Sequence, residues 1–172
     1  MNNEPRTLLL MRHAKSAYPS GPAGPITDHD RPLAPRGVRE AALAGEWLRA
    51  TQPPIDGVLC STATRTRQTL ALTNLDAPVR YADRLYAATP GEVMNEIATV
   101  ADDVNTLLLV GHEPTTSALA LLLASIRGTN TAAKQGISLK FPTSAIAVLK
   151  VAGNWAALEP GRHALVDFHV PR

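Results

Sequence analysis

Short runs of consecutive apolar residues alternate with segments of helical periodicity along the chain. Four apolar runs predict buried strands, at 7–12, 55–61, 77–82 and 105–112. Four other segments repeat apolar residues at helical spacing and predict helices, at 36–50, 62–74, 89–100 and 113–123. Because the strands are apolar throughout, we expect a mostly parallel sheet that helices cover on both faces.

The segments between and after these elements complete the predicted fold. Residues 17–35 hold five Pro and two Gly and predict a loop. Thr62 or Thr64 can cap the helix that follows the second strand. The tail alternates more strictly, and Gly153-Asn154 separates its two runs, which indicates an antiparallel hairpin. The prediction is an α/β chain folded as a three-layer α/β/α sandwich with a mostly parallel central sheet and a C-terminal hairpin.

Composition narrows the class of protein. The 172 residues are enough for one compact domain, and we expect a single domain over 1–172. A net charge of +2 is too small to indicate a nucleic-acid partner. No apolar segment approaches the roughly 20 residues of a membrane span, and the N-terminus lacks the pattern of a signal peptide. With Cys60 as its one cysteine, the chain is expected to be cytoplasmic.

Cationic and imidazole side chains stand where three of the predicted strands end. Arg12 and His13 follow the first strand, Arg65 comes shortly after the second, and His112 and Glu113 follow the "LLLV" run of the last. The carboxyl ends of parallel strands meet at one edge of a sheet, where ligands bind. We therefore expect these groups to lie together, although 99 residues separate the two histidines.

This combination of groups suits phosphoryl transfer. Arg12 and Arg65 are planar cations that match phosphoryl oxygens, and Arg65 also lies near a helix start that favours anions. A neutral imidazole has a nucleophilic lone pair near pH 7, and adjacent cations keep it neutral. The pattern predicts a phosphohistidine intermediate that water hydrolyses. The arginines would offset the charge, so no metal and no cofactor is expected.

Four blocks of sequence, in order, resemble the histidine phosphatase (phosphoglycerate mutase-like) superfamily. "LLLMRHAKS" resembles its Arg-His-Gly motif, and "DRPLAPRG", "VLCSTATRTRQT" and "LLLVGHEP" are similar to the next three blocks. The short length and the late "FPTSAIAVLKV" resemble the SixA-like phosphohistidine phosphatases in particular. The resemblance implies that His13 is the phosphorylated nucleophile and that Arg12, Arg65 and His112 complete the phosphate pocket.

The chain departs from the family pattern near the nucleophile. Ala14 replaces the usual glycine, and Pro19 stands where many members have an asparagine, so that the pocket lacks one amide donor. Ser16 could partly compensate, and we expect Ser16 and Glu113 to contact the substrate.

The mutases and acid phosphatases of this family also carry an acidic proton donor, and no carboxylate here aligns with it convincingly. Asp83 and Glu92 are candidates by location only. A poor alkoxide leaving group needs a general acid, whereas a phosphoramidate or an anhydride leaves more readily. The missing acid therefore favours an activated phosphoryl donor, such as phosphohistidine on a protein.

A cysteine phosphatase is a rival interpretation. Such enzymes place an Arg six positions after the catalytic Cys, but Arg65 and Arg67 stand five and seven positions after Cys60. The intervening "STAT" also lacks glycines, so Cys60 is expected to end a buried strand as a small apolar residue.

Several other polar residues have ordinary structural explanations. The Asp-His-Asp at 28–30 could suggest a metal site, but a solvated turn is the simpler interpretation. Arg31 and Arg36 are candidates to steer a phosphorylated partner, with ordinary surface charge as the default interpretation. His163 and His169 are expected to be surface residues of the tail.

Three functions remain open from the sequence. The first is a metal-independent phosphohistidine phosphatase that acts on a phosphorylated protein. The second is a phosphohydrolase of the same superfamily for a small phosphoester or nucleotide. The third is a catalytically weak module that binds phosphoproteins. None of these involves nucleic acid or membrane, and the oligomeric state stays open.

Overall fold

The computed structural model describes residues 4–18, 20–21 and 24–172, so Pro19 lies outside the described residues. Its strands are β1 Arg6–Arg12, β2 Ser20–Gly21, β3 Gly24–Pro25, β4 Gly57–Ser61, β5 Val79–Ala82, β6 Thr106–Gly111, β7 Ile146–Val151 and β8 Ala164–His169. Its helices are α1 Pro35–Thr51, α2 Thr64–Leu72, α3 Pro90–Ala98, α4 Thr115–Leu123 and α5 Thr131–Leu139. Among the described residues, no helix is both long and apolar enough to cross a membrane.

A central sheet of the described residues has the strand order β5-β4-β6-β1-β7-β8. β5, β4, β6 and β1 are parallel, whereas β7 runs antiparallel to β1 and β8 antiparallel to β7. In the β1–β6 ladder, Arg12 is paired with Gly111. His13 and His112 therefore follow directly on two neighbouring strands.

Alternate strand residues point to opposite sides of the sheet, and the residues on both sides are apolar. Helices therefore cover both faces of the sheet. On one face, Leu8, Leu10, Leu107 and Leu109 belong to a core that also contains residues of α3, α4 and α5. On the other face, a second core joins neighbouring strand residues to α1 and α2. The three-layer sandwich with a mostly parallel sheet is confirmed.

Side-chain caps explain the starts of two helices, and the structure corrects the cap predicted for a third. Thr89 and Glu92 form a reciprocal capping box at the start of α3. Asn130 caps α5, a helix that the sequence analysis did not predict. The expected cap of α2 is wrong, since its N-cap is Ala63, without a side-chain hydrogen bond, and neither Thr62 nor Thr64 serves.

The predicted C-terminal hairpin exists as β7 and β8, but its second strand begins later than the sequence suggested. Trp155–Ala157 forms a 3-10 turn in place of a strand. The expectation of a surface position for His163 is also wrong. Its side chain is buried, and both ring nitrogens lie 3.3 Å from main-chain nitrogens, those of Ala152 and Glu159. His169 is half-buried and stacks on Trp47.

The segment after β1 packs closely on the start of α1. Ala34 N donates to Lys15 O at 2.8 Å, and Ser16 forms an isolated antiparallel bridge with Leu33. A Cβ atom at Gly37 would lie 2.1 Å from Lys15 O, so a side chain cannot fit there. The first helix therefore fixes the chain that leaves the sheet edge at His13.

Candidate active site

His13 lies at the carboxyl end of β1, and main-chain contacts fix its ring. Its Nδ1 donates to Ala14 O at 2.7 Å, because a carbonyl oxygen can only accept. The lone pair of this imidazole is therefore on Nε2. Ala14 N in turn donates to Thr69 Oγ1 at 2.9 Å, which ties this segment to α2.

His112 follows β6 and lies beside the first histidine, with ring centroids 5.4 Å apart. Its Nε2 is 2.8 Å from Ser61 Oγ, at the end of β4. Its Nδ1 is buried and has no hydrogen-bond partner among the described residues. Because a hydroxyl can donate or accept, Ser61 permits either tautomer of His112.

Arg12 is the last residue of β1, and its guanidinium is held on one side. Nη1 donates to Phe141 O at 2.9 Å, whereas the buried Nε has no partner among the described residues. Burial lowers the pKa of Arg12, and the negative charge of Glu113 opposes that shift. The guanidinium thus keeps unused donors for an anion.

Arg65 lies in the first turn of α2 and is almost fully buried. Its Nη1 donates to the main-chain oxygen of Asp28 at 2.7 Å, and its Nη2 donates to Asp28 Oδ2 at 3.2 Å. Tyr86 lies 5.9 Å from this guanidinium and makes an edge contact with His112. These contacts connect Arg65 to the histidine side of the site.

Both histidines are neutral at physiological pH. Burial lowers the pKa of His13 to about 3, and the nearby cations Arg65 and Arg12 add to this shift. Burial lowers the pKa of His112 to about 4, and Arg65 again contributes. Two neutral imidazoles beside two permanent cations can bind a phosphoryl group and attack it.

Ser16 and Glu113, the two expected substrate contacts, are engaged within the protein. Ser16 is buried, and its hydroxyl accepts from Arg31 Nη2 at 2.5 Å. The Glu113 carboxylate accepts from the main-chain nitrogen of Ser117 at 2.7 Å and from its hydroxyl at 2.5 Å. Glu113 thereby satisfies free groups at the start of α4.

The two candidate proton donors also accept hydrogen bonds from the protein. Asp83 accepts from the Thr62 hydroxyl at 2.6 Å, and that hydroxyl lies 3.1 Å from His29 Nε2. Glu92 accepts from Thr89 in the capping box of α3. Neither carboxylate has a contact with His13 or His112.

The 28–30 segment is an exposed 3-10 turn, as the sequence suggests, but it also contacts the site. Among the described residues no group of side chains could hold a metal ion. Arg31 is not the surface charge expected by default, because its side chain is only 13% exposed and binds Asp28 and Ser16. Arg36 is half-exposed and pairs with Glu40.

Cys60 is a buried residue of β4. Burial raises the pKa of its thiol to about 12, so that it is no nucleophile at neutral pH. The cysteine phosphatase mechanism therefore has no support in the structure.

A cavity of about 330 Å³ adjoins His112. It lies between the 85–90 segment and the start of α4, and its wall is mostly apolar, with Leu85, Val93 and Leu119 among its lining residues. The cleft therefore offers apolar surface beside its polar groups.

Sequence reasoning missed Asp28, Tyr86, Ser61 and Thr69 as parts of this site. Ser61 and Thr69 stand within the "VLCSTATRTRQT" block, four residues to either side of Arg65. That spacing could have drawn attention to both. Nothing in the pattern around Asp28 or Tyr86 indicates their contacts.

Comparisons with known proteins agree with this geometry. The family model for the histidine phosphatase superfamily (branch 1) matches residues 8–103, more than half of the chain. An uncharacterised protein of Mycobacterium tuberculosis is 70% identical over 94% of this chain and 100% of its own length.

Two solved structures of candidate SixA phosphohistidine phosphatases are also similar. The one from Nakamurella multipartitia is 41% identical, with a TM-score of 0.86 over 98% of this chain and 99% of that chain. The one from Agrobacterium tumefaciens is 30% identical, with a TM-score of 0.73 over 97% and 99%. With its paired imidazoles at the edge of a matching sheet, this chain belongs to the histidine phosphatase superfamily, in its SixA-like branch.

Proposed function

We propose that the protein is a metal-independent phosphatase that removes the phosphoryl group from phosphohistidine on a protein, through a covalent intermediate on His13. The main observation that supports this proposal is the hydrogen bond that His13 Nδ1 donates to Ala14 O at 2.7 Å. It leaves the Nε2 lone pair free, on a buried imidazole whose pKa of about 3 keeps it unprotonated. A nucleophile held in this state needs no separate base.

The reaction would proceed in two balanced steps. Nε2 of His13 forms a bond to phosphorus while the bond from phosphorus to the substrate nitrogen breaks, and that nitrogen keeps the electron pair. Water then attacks the phosphohistidine, the bond from phosphorus to Nε2 breaks, and both hydrogens of water leave on the released phosphate. Arg12, Arg65 and His112 would bind the phosphoryl oxygens and offset their charge in both steps.

The carboxylates near the site favour a good leaving group. Hydrogen bonds from Tyr86, Arg31 and Arg65 hold the pKa of Asp28 well below its usual range, and Asp83, Glu92 and Glu113 are engaged by donors of the protein. None is therefore poised to protonate an alkoxide. When the second ring nitrogen of the substrate phosphohistidine carries a proton, the histidine side chain leaves as a neutral imidazole and requires no acid from the enzyme.

Similar proteins support phosphohistidine as the substrate class and a single catalytic domain. The similar structures from Nakamurella multipartitia and Agrobacterium tumefaciens are those of candidate phosphohistidine phosphatases, and each covers nearly all of this chain. We accordingly propose that 1–172 form one histidine phosphatase domain that acts in the cytoplasm on a phosphorylated protein.

Rapid acid and base quench with a ³²P-labelled phosphohistidine protein tests this proposal. We expect an acid-labile, base-stable label on the enzyme that is absent in His13→Ala and retained in His169→Ala. Binding without label in the wild-type protein would contradict an enzyme and indicate a phosphoprotein-binding module.

A rate comparison then identifies the substrate class. Phosphohistidine peptide, phosphoserine peptide and small phosphoesters are compared side by side with the same wild-type enzyme. We expect phosphohistidine to be hydrolysed fastest. Faster hydrolysis of a small phosphoester or nucleotide would instead favour the second function that the sequence left open.

A further inference from the structure

The 28–30 turn places a carboxylate where three donors from separate segments meet. Asp28 Oδ2 accepts from Arg65 Nη2 at 3.2 Å and from the Tyr86 hydroxyl, and its Oδ1 accepts from Arg31 Nη1 at 2.9 Å. Its main-chain oxygen also accepts from Arg65 Nη1. This residue therefore contacts α2, the segment after β5 and its own turn at once.

Arg31 extends the same network toward the nucleophile. Its Nη2 donates to the Ser16 hydroxyl, its Nε donates to Ala17 O at 3.1 Å, and its guanidinium stacks on Tyr18 at 3.5 Å. These three residues follow His13 closely in the chain. The turn is thus connected to both sides of the phosphate pocket.

We propose that Asp28 is a positioning residue, which holds the Arg65 guanidinium in the orientation that meets the phosphoryl group. This inference rests on the proposed function of the pocket, and it assigns to Asp28 no contact with the substrate. Two terminal nitrogens of Arg65 each give one hydrogen to Asp28, and because a guanidinium has five N–H groups, others remain for an anion.

The physical reason is the freedom of an arginine side chain. A free guanidinium loses rotamer entropy when it is fixed on an anion, and a partner that fixes it in advance removes that cost from substrate binding. Hydrogen bonds from Tyr86, Arg31 and Arg65 hold the pKa of Asp28 well below its usual range. Asp28 therefore stays ionised and cannot be the missing general acid.

The substitution Asp28→Asn tests this proposal, with Asp30→Asn as the matched control from the same turn. Asp30 accepts a hydrogen bond from the Thr27 hydroxyl and lies 3.7 Å from His29 Nδ1, and neither of these contacts involves Arg65. The first readout is the affinity for inorganic tungstate by titration calorimetry, which needs no turnover. By analogy with the partners that orient metal ligands, we expect Asp28→Asn to weaken tungstate binding by about tenfold to a hundredfold. Asp30→Asn should leave it within about twofold.

A double-mutant cycle separates positioning from a general structural role. If Asp28 acts through Arg65, Asp28→Asn has little further effect in an Arg65→Ala background. An equal loss in both backgrounds, or wild-type affinity in Asp28→Asn, would overturn the proposal. If circular dichroism shows that Asp28→Asn does not fold, Tyr86→Phe replaces it in the same cycle. We then expect a smaller loss of tungstate affinity that again depends on Arg65.

The same measurements distinguish this inference from the proposed function. Wild-type protein without a His13 label, but with tungstate binding that depends on Asp28 through Arg65, would remove the proposed reaction and retain the positioning role. A labelled enzyme whose tungstate affinity is unaffected by Asp28→Asn would do the reverse.

Discussion

The half of the site at the end of β1 is held by main-chain carbonyl groups, whereas the half at the ends of β4 and β6 is held largely by side chains. In the β1 half, His13 donates to Ala14 O and Arg12 donates to Phe141 O. No substitution removes a main-chain carbonyl, so these two orientations follow from the path of the chain.

In the other half, His112 contacts the Ser61 hydroxyl, and Arg65 contacts the Asp28 carboxylate as well as its main-chain oxygen. These partners depend on residue identity and can be removed one at a time. The difference teaches that the nucleophile and Arg12 are fixed by the backbone, while Arg65 and His112, the other two groups that we propose to stabilise charge, depend on individual side chains.

The substitution Arg65→Ala should have the largest effect in the side-chain half. It removes a buried cation and the donors that it presents to an anion, and we expect turnover to fall by roughly a hundredfold or more, as for a lost preorganised oxyanion donor. Steady-state hydrolysis of a phosphohistidine peptide measures it. Unchanged activity would contradict the phosphate pocket.

The substitution Ser61→Ala should lower turnover by about tenfold or more, because it leaves His112 Nε2 buried without its hydroxyl partner. Ala14→Gly is the corresponding change in the main-chain half. It keeps the carbonyl that accepts from His13 and should cost clearly less. If Ala14→Gly proves the more damaging of the two, the comparison between the halves fails.

The two halves share one pH dependence. The unfolded chain protonates its histidines near pH 6.5, whereas folded His13 and His112 resist protonation down to about 3 and about 4. The unfolded state therefore binds more protons between these limits, and stability falls as the pH falls below about 6.5.

Urea denaturation at several pH values in phosphate-free buffer measures the decrease in the free energy of unfolding. Each histidine contributes up to about 1.4 kcal/mol per pH unit to this decrease. The variants His13→Asn and His112→Asn should each show a shallower slope than the wild type. A slope that neither variant changes would refute the assignment of neutral, buried imidazoles to both halves.

The smallest effect is expected outside both halves, at Glu92. A glutamine can replace the glutamate of a capping box, so Glu92→Gln should leave the hydrolysis of phosphohistidine within about twofold. Phosphohistidine and phosphoserine peptides are compared with the same variant. A large loss confined to phosphoserine would identify Glu92 as the general acid after all.

The sequence could predict the sheet-edge part of the site, because a single rule governs it. Apolar strands end where parallel ladders end, so polar residues that follow such strands, here His13 and His112, fall on a common edge. The rule needs only the apolar pattern and no knowledge of the loops.

The loop part could not be predicted, for a physical reason. Asp28 lies in a Pro-rich segment without periodicity, and its partners Arg65 and Tyr86 are 37 and 58 residues away. Contacts between a loop residue and residues so far away in the chain depend on tertiary packing alone. The buried position of His163 was likewise invisible, since it depends on a turn of the hairpin that the alternation of residues did not indicate.

The pairing of β1 with β6 sets the distance between the two imidazoles. Arg12 lies opposite Gly111, so the two histidines that follow them stand side by side on neighbouring strands. The 5.4 Å separation of their ring centroids is close to the roughly 4.8 Å spacing of such strands. The two main-chain positions that carry the rings cannot move apart without breaking this ladder, whose apolar residues are buried. The spacing of the two imidazoles is consequently set by the architecture of the sheet and not by the loops around the site.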